Sequence, residues 1–209
     1  MPTLTLDVAA FAIRDDDLAV LMRRAGARWE LPWARHDGGA LDQAAARLAR
    51  EAAGRVGWLS LAGAFDETDP HPANASLSLA FAALVPHDAA DAVPGDHEWR
   101  ALGDRDRLQA RQQRIADAAL ALVRDRVDRA PVAFRLLPAA FTLAELQRAH
   151  ELLLGQRVHK ASFRRSLDAA ALVEPTGEWR TEGRGRPAQL YRLAKRKRRA
   201  APRSVRFDY

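Results

Sequence analysis

Two apolar runs open the chain, LTLDVAAFAI and LAVLMRR, separated by RDDD. Short runs with β-forming residues on either side of a polar turn predict a β-hairpin. From 41 to 55 the apolar positions return at helical spacing, and WLSLAGAF and ASLSLAFAALV then read as further strands, the second alternating small polar with apolar residues. Between 105 and 129 Leu108, Ile115, Ala119, Leu122 and Val123 recur with charges between them, which predicts a long connecting helix. The front of the chain is thus a mixed α/β arrangement. No internal repeat is present, and low complexity is confined to the Arg-rich C-terminal stretch.

Local signals sharpen after Pro138. In FTLAELQ, Thr142 is placed as an N-cap and Glu145 three residues on completes a capping box, with Phe141 and Leu146 positioned as a hydrophobic staple. The helix should run to about Leu154, where Gly155 supplies a left-handed stop. A second helix is predicted from near His159, because Phe163, Leu167 and Ala170 make one apolar stripe while Ser162, Arg164 and Arg165 point elsewhere. Two strand patterns then flank TEGRGRP. Helix, turn, helix and basic hairpin, in that order, describe a winged helix-turn-helix.

Composition limits the alternatives. The 209 residues suit two domains, no apolar run approaches the roughly 18 residues of a membrane span, and Cys is 0, so neither a membrane helix nor a disulfide or thiolate-zinc framework is expected. With no secretory leader pattern at the N-terminus, the expected location is the cytoplasm. The net charge of +6 is unevenly placed: residues 1–130 hold 16 Lys and Arg against 20 Asp and Glu, or −4, and residues 131–209 hold 17 against 7, or +10. An acidic front joined to a basic back points to a polyanion-binding module attached to something else. KRKRR at 195–199 supplies half of the +10 and reads as a solvated tail that adds non-specific phosphate affinity.

The second helix carries the inventory for duplex DNA. Its N-terminal residues are the ones that reach base edges in the major groove, where Arg grips guanine through two hydrogen bonds. Lys160, Arg164 and Arg165 suit phosphates or guanines, Ser162 suits either, and Ala161 allows close approach. Arg184 and Arg186 at the wing tip, kept lean by Gly183 and Gly185, suit the minor groove or the phosphates. The expected DNA-binding set is Thr142, His159, Lys160, Ser162, Arg164, Arg165, Arg184 and Arg186. RNA is disfavoured because no aromatic stacking surface accompanies the basic residues.

The stretch LPWARHDGGALDQAAARLAREAAGRVG poses a separate question. A magnesium-dependent diphosphate hydrolase needs several carboxylates on neighbouring turns of one helix. This helix keeps Asp42 and Glu51, nine residues and about 13 Å apart at ~1.5 Å per residue, too far to share a cation. Glu51 stands four residues after Arg47, where an ion pair across one turn is the ordinary expectation. The histidines, His36, His71 and His97 among them, lack metal-ligand spacing and are expected in loops, and neither a P-loop nor a G-x-S-x-G nucleophile is present.

Residues 31–57 resemble a degenerate Nudix box. With Arg47, Glu51 and Gly54 in register, Trp33 stands at the leading glycine, Gly39 at the first glutamate, Leu48 after the arginine and Ala52 at the second paired glutamate. Together with APVAFRLLPAAFTLAELQ, FRRSL and GRGRPAQLYRL, the chain resembles the Nudix-related transcriptional regulator (NrtR) family over nearly its whole length. The resemblance implies an α/β (α+β) Nudix-like sandwich of mixed sheet and helices, catalytically inactive, over residues 1–130, a winged helix-turn-helix over 131–194 and a basic tail over 195–209. It further implies a homodimer on a palindromic double-stranded operator, a repressor's role commonly in NAD metabolism, and ADP-ribose or a related nucleotide or sugar metabolite as effector, with no cofactor and no metal. Arg23, Arg24, Trp29, Arg35 and Phe65 are the candidate effector contacts, as phosphate donors and stacking faces. In DPHPANAS the chain departs from the family, with His71 where an arginine tends to stand. The alternative is a hydrolase of ADP-ribose-like substrates that recruits metal ligands from Asp66, Glu67 and Asp69.

Overall fold

The computed structural model describes residues 3–91, 93–127, 131–181 and 187–194. Two compact units divide it, Met1–Val123 and Arg124–Tyr209.

The first unit is built on β1 (Leu4–Arg14), whose residues 5–12 are buried on both faces. Its C-terminal half pairs antiparallel with β2 (Asp17–Ala25) through Asp15 and Asp16, both at positive φ (48° and 59°). Two such residues form the primed turn whose twist matches that of the strands it joins. The N-terminal half of β1 pairs with β4 (Trp33–Arg35), so two partners share that one edge. On the other edge runs β6 (Leu77–Leu84), parallel to β1, followed by β5 (Trp58–Asp66). Strands β3 (Arg28–Glu30) and β7 (His97–Ala101) both pair with β2. These strands and β4 are of three to five residues, too short to carry a periodic signal, and sequence reading missed all three.

Successive residues of β1 point to opposite faces. Leu6, Val8, Ala10 and Ala12 pack with helix α1 (Leu41–Ala53), which buries Ala45, Ala49, Ala52 and Ala53 against the sheet. Thr5 and Asp7 point the other way, towards helix α2 (Ala110–Val127), where Gln112 bonds to Asp7. The expected helical start at 105 is corrected: Leu102–Arg107 is a 3-10 segment, and α2 begins at Ala110. The boundary between the units falls inside α2.

In the second unit, α3 (Leu143–Leu154) and α4 (Lys160–Ala170) are followed by the antiparallel pair β8 (Val173–Arg180) and β9 (Ala188–Leu193). Phe134, Phe141, His150 and Phe163 form its aromatic core through edge-on contacts of 5.0 to 6.4 Å. His150 therefore lies inside α3, and His97 starts β7; the expectation that the histidines occupy loops is corrected for both. A histidine placed beside aromatic edges contributes an apolar body with a polar tip, which pattern reading cannot separate from a solvent-facing one.

Candidate nucleic-acid interface and ligand cleft

Each half of the predicted capping box at α3 forms. The Thr142 hydroxyl accepts from the Glu145 N–H at 3.2 Å, and the Glu145 carboxylate accepts from the Thr142 N–H at 2.7 Å. Thr142 is buried in this role, so of the predicted DNA-binding set it supports the helix rather than meeting solvent. Glu145 also accepts from Arg180 of β8 at 2.5 Å, and Phe141 exchanges backbone bonds with Tyr191 of β9, tying the wing strands to the start of α3.

Gly155, at φ +71°, ends α3. The following turn is held by side chains that no local pattern announces. Gln147 donates to the Val158 carbonyl at 3.0 Å, and Glu151 accepts from the Val158 N–H at 3.0 Å, so both backbone groups of the residue before the N-cap of α4 are gripped from α3. His159 is that N-cap, with no side-chain capping bond. Phe163 and Leu167 bury the inner stripe of α4, which leaves His159, Lys160, Arg164 and Arg165 exposed and Ser162 half-buried beside them. Ser162 lies 3.4 Å from the His159 ring and accepts from Arg165 at 3.3 Å. Among the described residues no carboxylate pairs with Lys160, Arg164 or Arg165. The helix thus offers an uncompensated basic face, the requirement for a phosphate-lined groove. Arg184 and Arg186 lie outside the described residues.

In the first unit a cleft of about 230 Å³ lies between β4 and α1, bordered by Leu6, Arg35, His36, Arg47, Leu48 and Glu51. Of the five candidate effector contacts only Arg35 borders it. Arg23 is bonded to Glu30 at 3.0 Å and stands over the Trp33 ring at 5.4 Å. Trp29 has guanidinium neighbours in Arg24 at 5.7 Å and Arg100 at 5.0 Å, and Phe65 has Arg114 at 5.7 Å. The five therefore do not converge on this cleft. Arg47 and Glu51 both face it, and no ion pair joins them, which corrects the one-turn pair expected from their spacing. Leu48 borders the cleft, whereas Ala52 is buried against the sheet.

Among the described residues no three His, Asp or Glu side chains come together as a metal site. Asp66 accepts from the Thr68 hydroxyl at 2.5 Å and from its N–H at 3.1 Å, and these bonds hold its carboxyl below the usual range. Asp69 is paired with Arg114. Of the three loop carboxylates of the hydrolase alternative, Asp66 and Asp69 are engaged locally, and Glu67 is exposed.

Behind β4 lies a buried polar network. Asp7, fully enclosed, accepts from His71 Nε2 at 2.8 Å, Gln112 at 3.1 Å and Thr5 at 3.0 Å. Because His71 Nδ1 accepts from the Ala73 N–H at 3.0 Å, the proton of this ring sits on Nε2, facing Asp7. His71 is thus a loop residue, but an enclosed one with both ring nitrogens bonded, and its ring meets Trp33 edge-on at 5.4 Å. Gln112 also spans the backbone of Leu31, accepting from its N–H at 3.0 Å and donating to its carbonyl at 3.3 Å. Arg111 donates to the carbonyls of Asp69 at 2.8 Å and Ala75 at 2.7 Å. The one legible sign was Asp7 itself, a lone charge in an apolar strand, which requires buried partners.

A Nudix-like sheet unit followed by a helix-turn-helix with a wing defines a two-domain protein with a DNA-binding C-terminal part. Residues 133–193 match the NrtR DNA-binding winged helix domain, so the second unit carries a winged helix of the NrtR kind. The chain is similar to the ADPR responsive transcriptional repressor NtrR of Acinetobacter baylyi, with 26% identity over 207 residues that cover 92% of this chain and 82% of the relative. NrtR of Shewanella oneidensis complexed with a 27mer DNA superimposes with a TM-score of 0.80 at 29% identity, covering 91% of this chain and 93% of that one. A MutT/nudix family protein from Enterococcus faecalis shares the fold, with a TM-score of 0.72 at 20% identity over 93% and 89% of the two chains. Among the described residues no helix is long and apolar enough to cross a membrane.

Proposed function

We propose that this protein is a ligand-responsive transcriptional repressor: a catalytically inactive Nudix sensor over residues 1–130 or so controls a winged helix over 131–194. The observation that carries the reading is α4, a helix seated by Phe163 and Leu167 that turns Lys160, Arg164 and Arg165 outward with no carboxylate partner among the described residues. Support for ADP-ribose as effector comes from the Acinetobacter relative, which responds to it. The cleft between β4 and α1 sets Arg35 and Arg47 beside Asp37 and Glu51 on its walls, and its two guanidinium groups are the donors available to a phosphate-bearing ligand. A repressor of this kind works as a homodimer in the cytoplasm, its two α4 helices reading half-sites of a palindrome a helical turn apart, on genes of NAD metabolism. Ligand acts by binding one arrangement of the dimer better than the other. A sensor has no use for destroying its signal, which suits a box helix without its carboxylates.

The test is selection of bound duplexes from a random DNA library at near-physiological salt. An inverted repeat should emerge, because direct readout enriches particular bases and phosphate binding does not. Arg164→Ala and Arg165→Ala should each weaken binding to the recovered site by about 1–3 kcal/mol while leaving thermal unfolding unchanged. Unaltered affinity in both variants would remove α4 from the interface, and ADP-ribose titrated onto the complex tests the effector.

A further inference from the structure

The two helices of the helix-turn-helix are started differently. Helix α3 carries its own anchor, the Thr142–Glu145 capping box. Helix α4 does not: His159 occupies the N-cap without a side-chain capping bond, so its first turn lacks the local fixing that α3 has. The anchor comes from α3 instead. Glu151 Oε1 accepts from the Val158 N–H at 3.0 Å and from Gln147 Nε2 at 3.2 Å, and the same Nε2 donates to the Val158 carbonyl at 3.0 Å. These bonds close a ring on the backbone of Val158, whose side chain is itself buried. Glu151 stands in the last turn of α3, where the helix dipole disfavours a carboxylate, and the Val158 N–H offsets that disadvantage. Val158 leads directly to His159, whose ring lies 3.4 Å from the Ser162 hydroxyl, and Ser162 in turn accepts from Arg165. A shift of the Val158 backbone therefore re-aims His159, Ser162 and Arg165 together.

We propose, resting on the DNA-binding reading above, that Gln147 and Glu151 are positioning residues for sequence readout. They hold Val158 so that the start of α4 presents its polar side chains at the depth and angle at which base edges are read. Phosphates and base edges make different demands on a side chain. A long basic side chain finds a phosphate through its charge from a range of positions, which is why phosphate binding is indifferent to sequence. Paired hydrogen bonds to a base edge need the side chain placed within about 0.5 Å. Loosening the grip on Val158 therefore costs discrimination between sequences and spares the phosphate contacts.

The experiment uses the full chain as wild type, Glu151→Ala, Glu151→Gln and Gln147→Met. Each is titrated, at one salt concentration, with the duplex recovered by selection and with a scrambled duplex of the same length and composition. Glu151→Ala and Glu151→Gln remove the same charge, but only the glutamine keeps an oxygen for the Val158 N–H. Glu151→Ala and Gln147→Met should each lower the ratio of operator to scrambled affinity about tenfold, the worth of one mismatched base pair. Glu151→Gln should recover most of that ratio. A variant that had merely lost folded protein would weaken on both duplexes alike and leave the ratio unchanged. Hydrogen exchange at the Val158 amide, followed without DNA, should quicken in Glu151→Ala and stay near wild type in Glu151→Gln. A selective wild-type protein beside a Glu151→Ala variant with the same ratio and a faster Val158 amide would overturn this inference alone. An unchanged Val158 amide in Glu151→Ala would overturn it too, by showing that the carboxylate does not hold that residue. A wild-type protein from which selection recovers no site would overturn the readout reading and this inference with it.

Discussion

Asp7→Ala is expected to lower the stability of the first unit by roughly 3–5 kcal/mol, read from its unfolding transition in urea. Asp7 is fully enclosed and is the acceptor for three donors at 2.8 to 3.1 Å. Removing the carboxylate leaves the His71 N–H facing a cavity and frees one bond of Gln112, whose hold on Leu31 then rests on backbone contacts alone. Each buried donor left without a partner costs about 1–3 kcal/mol. Thr5→Val is the contrasting case. Its hydroxyl bonds to Asp7 and Ser78, and deleting a group that satisfies others already bonded should cost only about 1 kcal/mol. An Asp7→Ala protein within about 1 kcal/mol of wild type would mean that solvent or a rearranged Gln112 replaces the lost acceptor.

The same network marks what pattern reading reaches. The hairpin, α1, the β5 and β6 strands and the winged helix were legible because each announces itself locally, through alternation, helical spacing or a capping box satisfied within three residues. The matching winged helix domain at 133–193 bears out that reading, and likeness to NrtR structures bears out the Nudix-like sheet ahead of it. Contacts made at long range left no such trace. Gln112 sits in RQQR, indistinguishable from a solvated helix face, yet it reaches Leu31, 81 residues earlier. Gln147 and Glu151 read equally as surface residues of α3, and only the fold reveals that they hold the turn before α4. Side-chain chemistry alone does not fix where an effector contact stands in the fold. Trp29 and Phe65 stand beside the guanidinium groups of Arg100 and Arg114, and Arg23 stands over Trp33, placements that residue type alone does not give.

Ala52→Glu, which would restore the second paired glutamate of a Nudix box, is expected to cost about 3 kcal/mol or more and to confer no magnesium-dependent hydrolysis of ADP-ribose. Ala52 is 3% exposed and packs with Leu6, Val8, Ala49 and Phe81, so a glutamate there must bury its charge or push α1 off the sheet. Leu48→Glu separates the two halves of the argument. Leu48 borders the cleft but also packs half-buried against the core, so a carboxylate there can reach solvent at a cost of about 1–2 kcal/mol in lost packing, less than at Ala52. Even then, Arg47 on the same wall opposes a cation beside the two acids. Ala49, Ala52 and Ala53 are part of the core that holds α1 in place. Chemical denaturation and phosphate release, measured on both single variants and the double, decide it. Wild-type stability in Ala52→Glu together with metal-dependent turnover would show that the box helix turns a face to the cleft other than the one described, and would return this protein to the hydrolases.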